Sequence, residues 1–354
     1  MFVLIGGDFL KKIAVGLSGG VDSAVAAHLL LQQGCDVTGI ILRLKPDDGA
    51  DGDISDAQRI ADKLGIGLSV LDRREIFSKK VISPFIDEYL GGRTPNPCIE
   101  CNKEIKFGVM LEHALEIGCD GIATGHYARI EESDGRYLLK RSQSPKDQSY
   151  FLFRLSQEQL AKTVFPLEGL SKDEIRETAR RAELPVAEKG DSQEICFVPN
   201  DDYISFLSSK GISSPKGNFV DSEGNILGTH NGIINYTVGQ RKGLGAFGKP
   251  MFVNSINAGN NTVVIGENGT QYSRGLIADR LNFIAFDKLT EPMRAEVKIR
   301  FRAKEQPALI TPLDGGKISV IFDEPQRSVT PGQSAVIYLG DTVIGGGRII
   351  SQLP

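Results

Sequence analysis

The segment KKIAVGLSGGVDSAVAAHLL, residues 11–30, runs a buried strand into a glycine-bearing loop and then straight into a helix. Ile13, Val15 and Leu17 lead into Ser18, Gly19 and Gly20, and from Val21 the apolar residues recur at helical spacing as far as Leu30. A strand that feeds a helix in this way aims the free N–H groups and the positive end of the helix dipole at the connecting loop, where an anion is stabilised. Gly19 and Gly20 let a phosphate approach the backbone, and Ser18 and Ser23 offer hydroxyl donors. No Gly-Lys-Ser/Thr follows, which excludes a Walker A loop, and the G-x-G-x-x-G pattern of dinucleotide folds is absent.

Working outward, the alternation repeats as far as about Gly125. Strands are expected at KIAVGL, DVTGIIL, GLSVL and DGIATG, and helices at VDSAVAAHLLLQQG, DISDAQRIADKLG, REIFSKKVISPFIDEYLGG and NKEIKFGVMLEHALEIG, several closing at a glycine (Gly34, Gly65, Gly91, Gly118). This is the order of an α/β fold, a Rossmann-like parallel sheet with crossover helices. Residues 126 to about 207 continue with helices such as SKDEIRETARRAEL. From GNFVDSEGNILGTHNG onward, short alternating strands between Gly, Asn and Asp turns predict two small, mainly β domains, the last a β-barrel. The expected domains are 1–207, 208–273 and 274–354. The acidic PDDGADGD at 46–53 reads as a loop, and MFVLIGGDFL as a leading strand or a loose extension, too short to span a bilayer.

A net charge of -4 over 354 residues gives no global sign of a nucleic-acid partner, so basic patches must be sought locally. Five cysteines indicate neither a disulfide scaffold nor export, and a reducing cytoplasm with no membrane role is the expectation. AEVKIRFRAKE places Arg294, Lys298, Arg300, Arg302 and Lys304 on even positions and apolar residues on odd ones. The strip is either an exposed strand face or a phosphate-binding rail.

The ordered set Ser-Gly-Gly-x-Asp-Ser at 18–23 resembles the PP-loop of ATP pyrophosphatases, which cleave ATP between its α and β phosphates. The resemblance implies adenylation of a poor electrophile, with Asp22 helping to place Mg²⁺. It leaves open the nucleophile that displaces AMP.

RTPNPCIECNKEIKFG, residues 93–108, bears on that nucleophile: its two cysteines admit a metal clip, a disulfide, a redox pair or a single reactive sulfur. A helix predicted from Asn102 puts Cys101 just before an N-terminus, where the dipole should lower its pKa. Cys196 lies in the turn-rich KGDSQEICFVPND, whereas Cys35 and Cys119 read as inert packing.

Seven ordered blocks, GLSGGVDSAVAA, RTPNPCIECNKEIKFG, ATGHYARI, KDQSYFLFRLSQEQL, DSQEICFVP, YTVGQRKGLG and VTPGQSAVIY, together resemble the tRNA-specific 2-thiouridylase family from near residue 11 to the C-terminus. That family replaces the C2 oxygen of the wobble uridine with sulfur, using ATP and a persulfide delivered by a sulfur carrier or cysteine desulfurase. The resemblance implies that Gly16, Leu17, Ser18, Gly19, Gly20, Val21, Asp22 and Ser23 hold ATP phosphates, with Leu42 and Gly125 near the adenosine. It makes Cys101 the nucleophile and Cys196 the bearer of the persulfide, and it implies a reversible disulfide between them in the resting enzyme. Asn96, Pro97 and Cys98 would contact the target base, and His126, Lys146, Asp147, Gln148, Arg300, Phe301 and Gln333 would touch tRNA.

One position departs from the family pattern. Cys98 stands where the family carries an aspartate proposed to assist proton transfer. Three thiols, Cys98, Cys101 and Cys196, then suit a [4Fe-4S] cluster with an open iron site as an alternative to the persulfide; zinc lacks an obvious fourth ligand. The rivals to thiolation are a PP-loop ligase or amidotransferase acting on a small molecule, and a tRNA-binding or sulfur-carrying module that only holds nucleotide.

Overall fold

The structure is a computed structural model that describes residues 3–5, 8–45, 49–190 and 195–354. The first layer is a five-stranded, all-parallel sheet in the spatial order Leu68–Asp72, Asp36–Arg43, Lys12–Gly16, Gly121–Ala123, Thr163–Val164. Ile13, Val15 and Ala123 face a core with the first helix (Val21–Gln32), while Ala14, Ile40 and Ile122 face the opposite core with Phe107 and Met110, so both sheet faces are covered. Strand order reverses beside Lys12–Gly16, which places the loop Leu17–Gly20 at the carboxyl end of the switch strand, where open α/β sheets bind ligands.

Two β units follow. Four strands, Ile226–His230, Gly217–Val220, Thr262–Glu267 and Met251–Asn257, form a small mixed sheet around Phe219, Val253 and Val263. Six antiparallel strands between Tyr272 and Leu353 close into a barrel through pairing of Tyr272–Phe283 with Thr342–Leu353. The α/β fold followed by β units, one of them a barrel, is the architecture read from the sequence.

Four local expectations change. Residues 128–141 form a hairpin, Ala128–Ser133 with Arg136–Arg141, whose second strand pairs with the last barrel strand at Leu139↔Val343, so this hairpin extends the barrel's sheet while the parallel sheet stays separate. The acidic stretch expected to loop is helical from Gly49, the start of Gly49–Leu64; its residues 46–48 lie outside the described residues. The left-handed stop after Ser83–Leu90 is Gly92 (φ +69), with Gly91 still the helical cap. The opening segment forms the pair Val3–Ile5 and Asp8–Leu10, with residues 1, 2, 6 and 7 outside the described set.

The basic strip changes as well. The strand ends at Lys298, Glu296 shares the cationic face, Arg294 pairs with Asp323 at 2.5 Å, and Lys298 pairs with Glu305 at 3.2 Å. Arg300 is occupied inward: its guanidinium donates to the carbonyls of Val238 (3.0 Å) and Ser328 (3.2 Å) and to the Thr330 hydroxyl, joining the small sheet's entry to the barrel. Arg302 and Lys304 remain exposed, without an ion pair among the described residues. In urea denaturation, Arg300→Glu should therefore lose roughly 3 kcal/mol of stability by orphaning buried acceptors, while Arg302→Glu should stay within about 0.5 kcal/mol of the parent. Equal stability of the two variants would return Arg300 to the surface strip.

Candidate active site

The loop Gly16–Ser23 is stiffened from within. Ser23 Oγ donates to the Gly20 carbonyl at 3.0 Å, accepts from the Ser18 amide at 3.2 Å, and lies 3.3 Å from Ser18 Oγ. The two serines thus brace each other. The helix behind them has Gly20 as N-cap with no side-chain cap, which leaves its first N–H groups turned to the loop. Gly19 adopts φ +72 beneath the helix Gly49–Leu64, where an added Cβ would sit 2.8 Å from the Asp53 carbonyl. Gly125 packs on the same turn, where a Cβ would lie 2.9 Å from the Ser23 amide. Leu17 is buried and Val21 joins the same core, while Leu42 is half-buried between two cores.

Charged side chains converge on this loop. Asp22 Oδ1 accepts from Tyr127 Oη at 3.0 Å and from Lys172 Nζ at 2.7 Å. Lys189 Nζ donates to the Gly19 carbonyl at 3.0 Å and pairs with Asp56 at 2.6 Å and Asp53 at 3.5 Å. Lys45 reaches Asp53 at 3.3 Å. Carboxylate oxygens are suitable Mg²⁺ donors, so Asp22 fits the role expected of it once its partners yield.

The cysteine helix begins earlier than its periodicity suggests. Asn96 is the N-cap, its side chain accepting from the Cys98 amide at 3.2 Å, and Pro97 opens the helix that continues unbroken to Glu116. Cys98 therefore occupies the first turn and Cys101 the second. Cys101 is buried among Phe77, Phe85, Ile105 and Phe197, and that desolvation pushes its thiol up to about 12, the reverse of the lowering expected from a helix terminus. Cys98 and Cys196 reach solvent, yet desolvation by the surrounding protein pushes both thiols up.

Phe197 brings Cys196 to this place. Its ring packs edge-on against Phe77 (5.6 Å) and Phe85 (5.2 Å) in the core that also holds Cys101. Residues 191–194 of that block lie outside the described residues. The three sulfurs are within electrostatic reach of one another, and all five cysteines are free thiols. Among the described residues, no three Cys, His, Asp or Glu side chains are grouped closely enough to hold a metal. With Cys101 turned into an aromatic core, the thiols as placed do not fit a [4Fe-4S] cluster.

Lys106, which the sequence reading passed over, acts on all three. Its charge opposes the upward push at Cys98, Cys101 and Cys196 and helps hold His126 neutral. It has no hydrogen bond or ion pair of its own among the described residues. Residues Cys101–Val109 are π-helical. In an α-helix, Lys106 would lie about 140° round from Cys101; i→i+5 bonding returns the fifth residue to the starting face. A lysine five residues after a cysteine carries no α-helical signal, so only the backbone geometry reveals the pair.

The residues assigned to tRNA by resemblance divide. His126 is half-buried beside Phe107 and Phe165, bonded to Thr124 Oγ1 at 2.8 Å, and burial lowers its pKa well below the usual range, so it meets a partner as a neutral ring. Asp147 accepts from the amides of Ser142 and Ser149, and Gln148 pairs with the Tyr127 backbone, leading back through Tyr127 Oη to Asp22. Lys146 is exposed on that turn. Phe301 packs against Phe151 with ring centroids 4.4 Å apart and the planes tilted by 40°. Gln333 donates to the carbonyls of Thr94 (2.9 Å) and Pro95 (3.3 Å), just ahead of Asn96.

A family profile described as the tRNA methyl transferase HUP domain matches residues 11–200, with a PRC-barrel domain of the same series at 204–267 and an aminomethyltransferase β-barrel domain at 273–349. The tRNA-specific 2-thiouridylase MnmA of Clostridioides difficile is 52% identical over 97% of this chain and 99% of its own length. That of Acetivibrio thermocellus is 53% identical over 96% and 99%. The two vocabularies differ in the group transferred, and the relatives' own name is thiolation. Among solved structures, a 4-thiouridine synthetase–RNA complex with bound ATP aligns with TM-score 0.37, 18% identity, 56% of this chain and 50% of its own. The U34-tRNA thiolase NcsA of Methanococcus maripaludis, solved with its [4Fe-4S] cluster, aligns with TM-score 0.36, 20% identity, and 56% and 67% coverage.

A thiol pushed up has less thiolate at a given pH, and removing a nearby cation pushes it further. At pH 8, iodoacetamide followed by peptide mass spectrometry should find Cys101 the slowest of the three. Lys106→Gln should slow Cys98 and Cys196 by about threefold to tenfold. Unchanged rates in Lys106→Gln would show that its charge does not reach the sulfurs.

Proposed function

The chain belongs to the family of tRNA-specific 2-thiouridylases, and from that premise we propose that it exchanges the C2 oxygen of a tRNA wobble uridine for sulfur through an adenylated base and a persulfide on Cys196. The supporting observation is that three thiols and the Lys106 ammonium lie within electrostatic reach of one another, with the Phe197 ring packed in the core that holds Cys101. A small-molecule ligase has no use for that arrangement.

ATP enters the loop Gly16–Ser23, with Leu42 and Gly125 on the adenosine side. Asp22 would hold Mg²⁺, whose charge would offset that of the phosphates. The uridine turns out of its stack onto Asn96, Pro97 and Cys98, and its C2 oxygen attacks the α-phosphate, releasing pyrophosphate. A sulfur-carrier protein or cysteine desulfurase has by then left a persulfide on Cys196. Its terminal sulfur adds to C2, and the C2 oxygen departs with AMP. Cys101 attacks Cys196 Sγ, the electron pair of the persulfide bond passes to the sulfur on C2, and a Cys101–Cys196 disulfide remains for an external thiol to reduce. Closed walls exclude water, which would restore uridine. Burial keeps the resting Cys101 a neutral thiol, protected from oxidation.

Residues 1–207 carry this chemistry on our reading, and 208–273 and 274–354 support the tRNA. No helix among the described residues is long and apolar enough to cross a membrane, and we place the reaction in the cytoplasm. The cluster route is set aside because the thiols do not fit it.

The test is nucleoside mass spectrometry of unmodified tRNA incubated with ATP, Mg²⁺ and a sulfide source. The parent and Cys98→Ser should form 2-thiouridine, Cys101→Ser and Cys196→Ser should lose it by at least a hundredfold, and Asp22→Ala should lose AMP formation as well. Loss in Cys98→Ser together with bound iron would contradict the persulfide route. AMP release indifferent to tRNA would contradict the substrate.

A further inference from the structure

A nucleoside triphosphate brings several negative charges to a loop that offers backbone dipoles but no cation of its own between Leu17 and Ser23. Two ammonium groups nonetheless stand at its rim, delivered by elements far along the chain. Lys189 Nζ lies 3.0 Å from the carbonyl of Gly19, at the loop itself. Lys172, the first residue of the helix Lys172–Arg181, lies 2.7 Å from Asp22 in the first turn behind the loop. Each is held by acid: Lys172 by Asp22, and Lys189 by Asp56 and Asp53. With Lys45 on Asp53, three lysines face three aspartates around the loop, so a polyphosphate meets a rim that does not repel it.

We propose that Lys172 and Lys189 are the side chains that bind the nucleotide's polyphosphate, each exchanging its aspartate for a phosphate oxygen as the nucleotide enters. This rests on the reading of the loop as an ATP site and deepens it. The exchange conserves a charge-assisted hydrogen bond at each lysine, and the flexible four-carbon stem permits it without backbone motion. It also frees Asp22 to take the metal. Lys189 stands seven residues before Cys196, so the residue that senses phosphate lies on the segment that carries the sulfur.

The alternative is a latch that only fastens residue 189 to the loop, and a ligand series separates the two. Calorimetry on the full chain would measure ATP, inorganic pyrophosphate and adenosine. Lys172→Gln and Lys189→Gln should each weaken ATP and pyrophosphate by about tenfold or more and change adenosine by less than about twofold, with Lys→Arg variants recovering most of the loss. Asp56→Asn, which removes a competitor for Lys189, should tighten ATP by about threefold; this variant decides the matter if a glutamine variant fails to fold. Unchanged ATP affinity in the folded glutamine variants, a parallel loss of adenosine, or weaker ATP in Asp56→Asn would overturn the assignment. A parent chain that binds neither ATP nor pyrophosphate would overturn the ATP reading itself, and this assignment with it.

Discussion

The Gln333 carboxamide, donating to the carbonyls of Thr94 and Pro95, ties the barrel to the backbone immediately before the cysteine helix. Around it, the Thr94 amide donates to the Pro331 carbonyl at 2.9 Å, and Gly332, at φ +93, passes so close that a Cβ would sit 2.8 Å from the Thr94 amide nitrogen. Thr94 Oγ1 also donates to Thr237 Oγ1 at 3.1 Å, which brings in the segment beside the small sheet. Glu88 and Arg93 pair at 2.6 Å beneath Arg348 of the last barrel strand. The chain into Asn96 is thus fixed by three layers before Pro97 sets the helix direction. The β units act on the chemistry by holding this loop, and Gln333, assigned to RNA by resemblance, is in this structure one of the hands that holds it.

Burial decides the state of the thiols. Moving Cys101 from about 9 to about 12 corresponds to about 4 kcal/mol, against about 0.3–1 kcal/mol for a charge at an ordinary helix end. The dipole loses, and by more because Cys101 sits in the second turn instead of at the terminus. What opposes burial is Lys106, carried onto the same face by π-helical winding. At Cys98 and Cys101 the Lys106 charge is set against burial, and at Cys196 Lys45 adds to it.

The parallel sheet and the phosphate loop were legible in the sequence because both rest on short-range rules: hydrophobic runs, a strand entering a helix, and glycines where φ must be positive, as at Gly19. The clustering of the thiols was legible only through resemblance to a family, since 95 residues separate Cys101 from Cys196 and the link is the packing of Phe197. Where the reading failed, a non-local or geometric fact intervened. Asn96 capped the helix six residues before Asn102 because its side chain finds the Cys98 amide. The hairpin 128–141 exists because the last barrel strand offers it an edge. The alternating cations at 294–304 satisfied the strand pattern, yet the strand stopped at Lys298 and Arg300 turned inward to three acceptors. Period-two spacing fixes a face only while the chain stays extended.

On the proposed function, the loop and the thiols serve one reaction, in which the uridine oxygen leaves on the nucleotide. Transcribed tRNA carrying ¹⁸O at C2 of the wobble uridine tests this directly, by mass spectrometry of the AMP formed in a single turnover. AMP heavier by one ¹⁸O, in amount equal to the 2-thiouridine produced, is the result this account predicts. Unlabelled AMP, with the heavy oxygen recovered in water or retained in the tRNA, would contradict it.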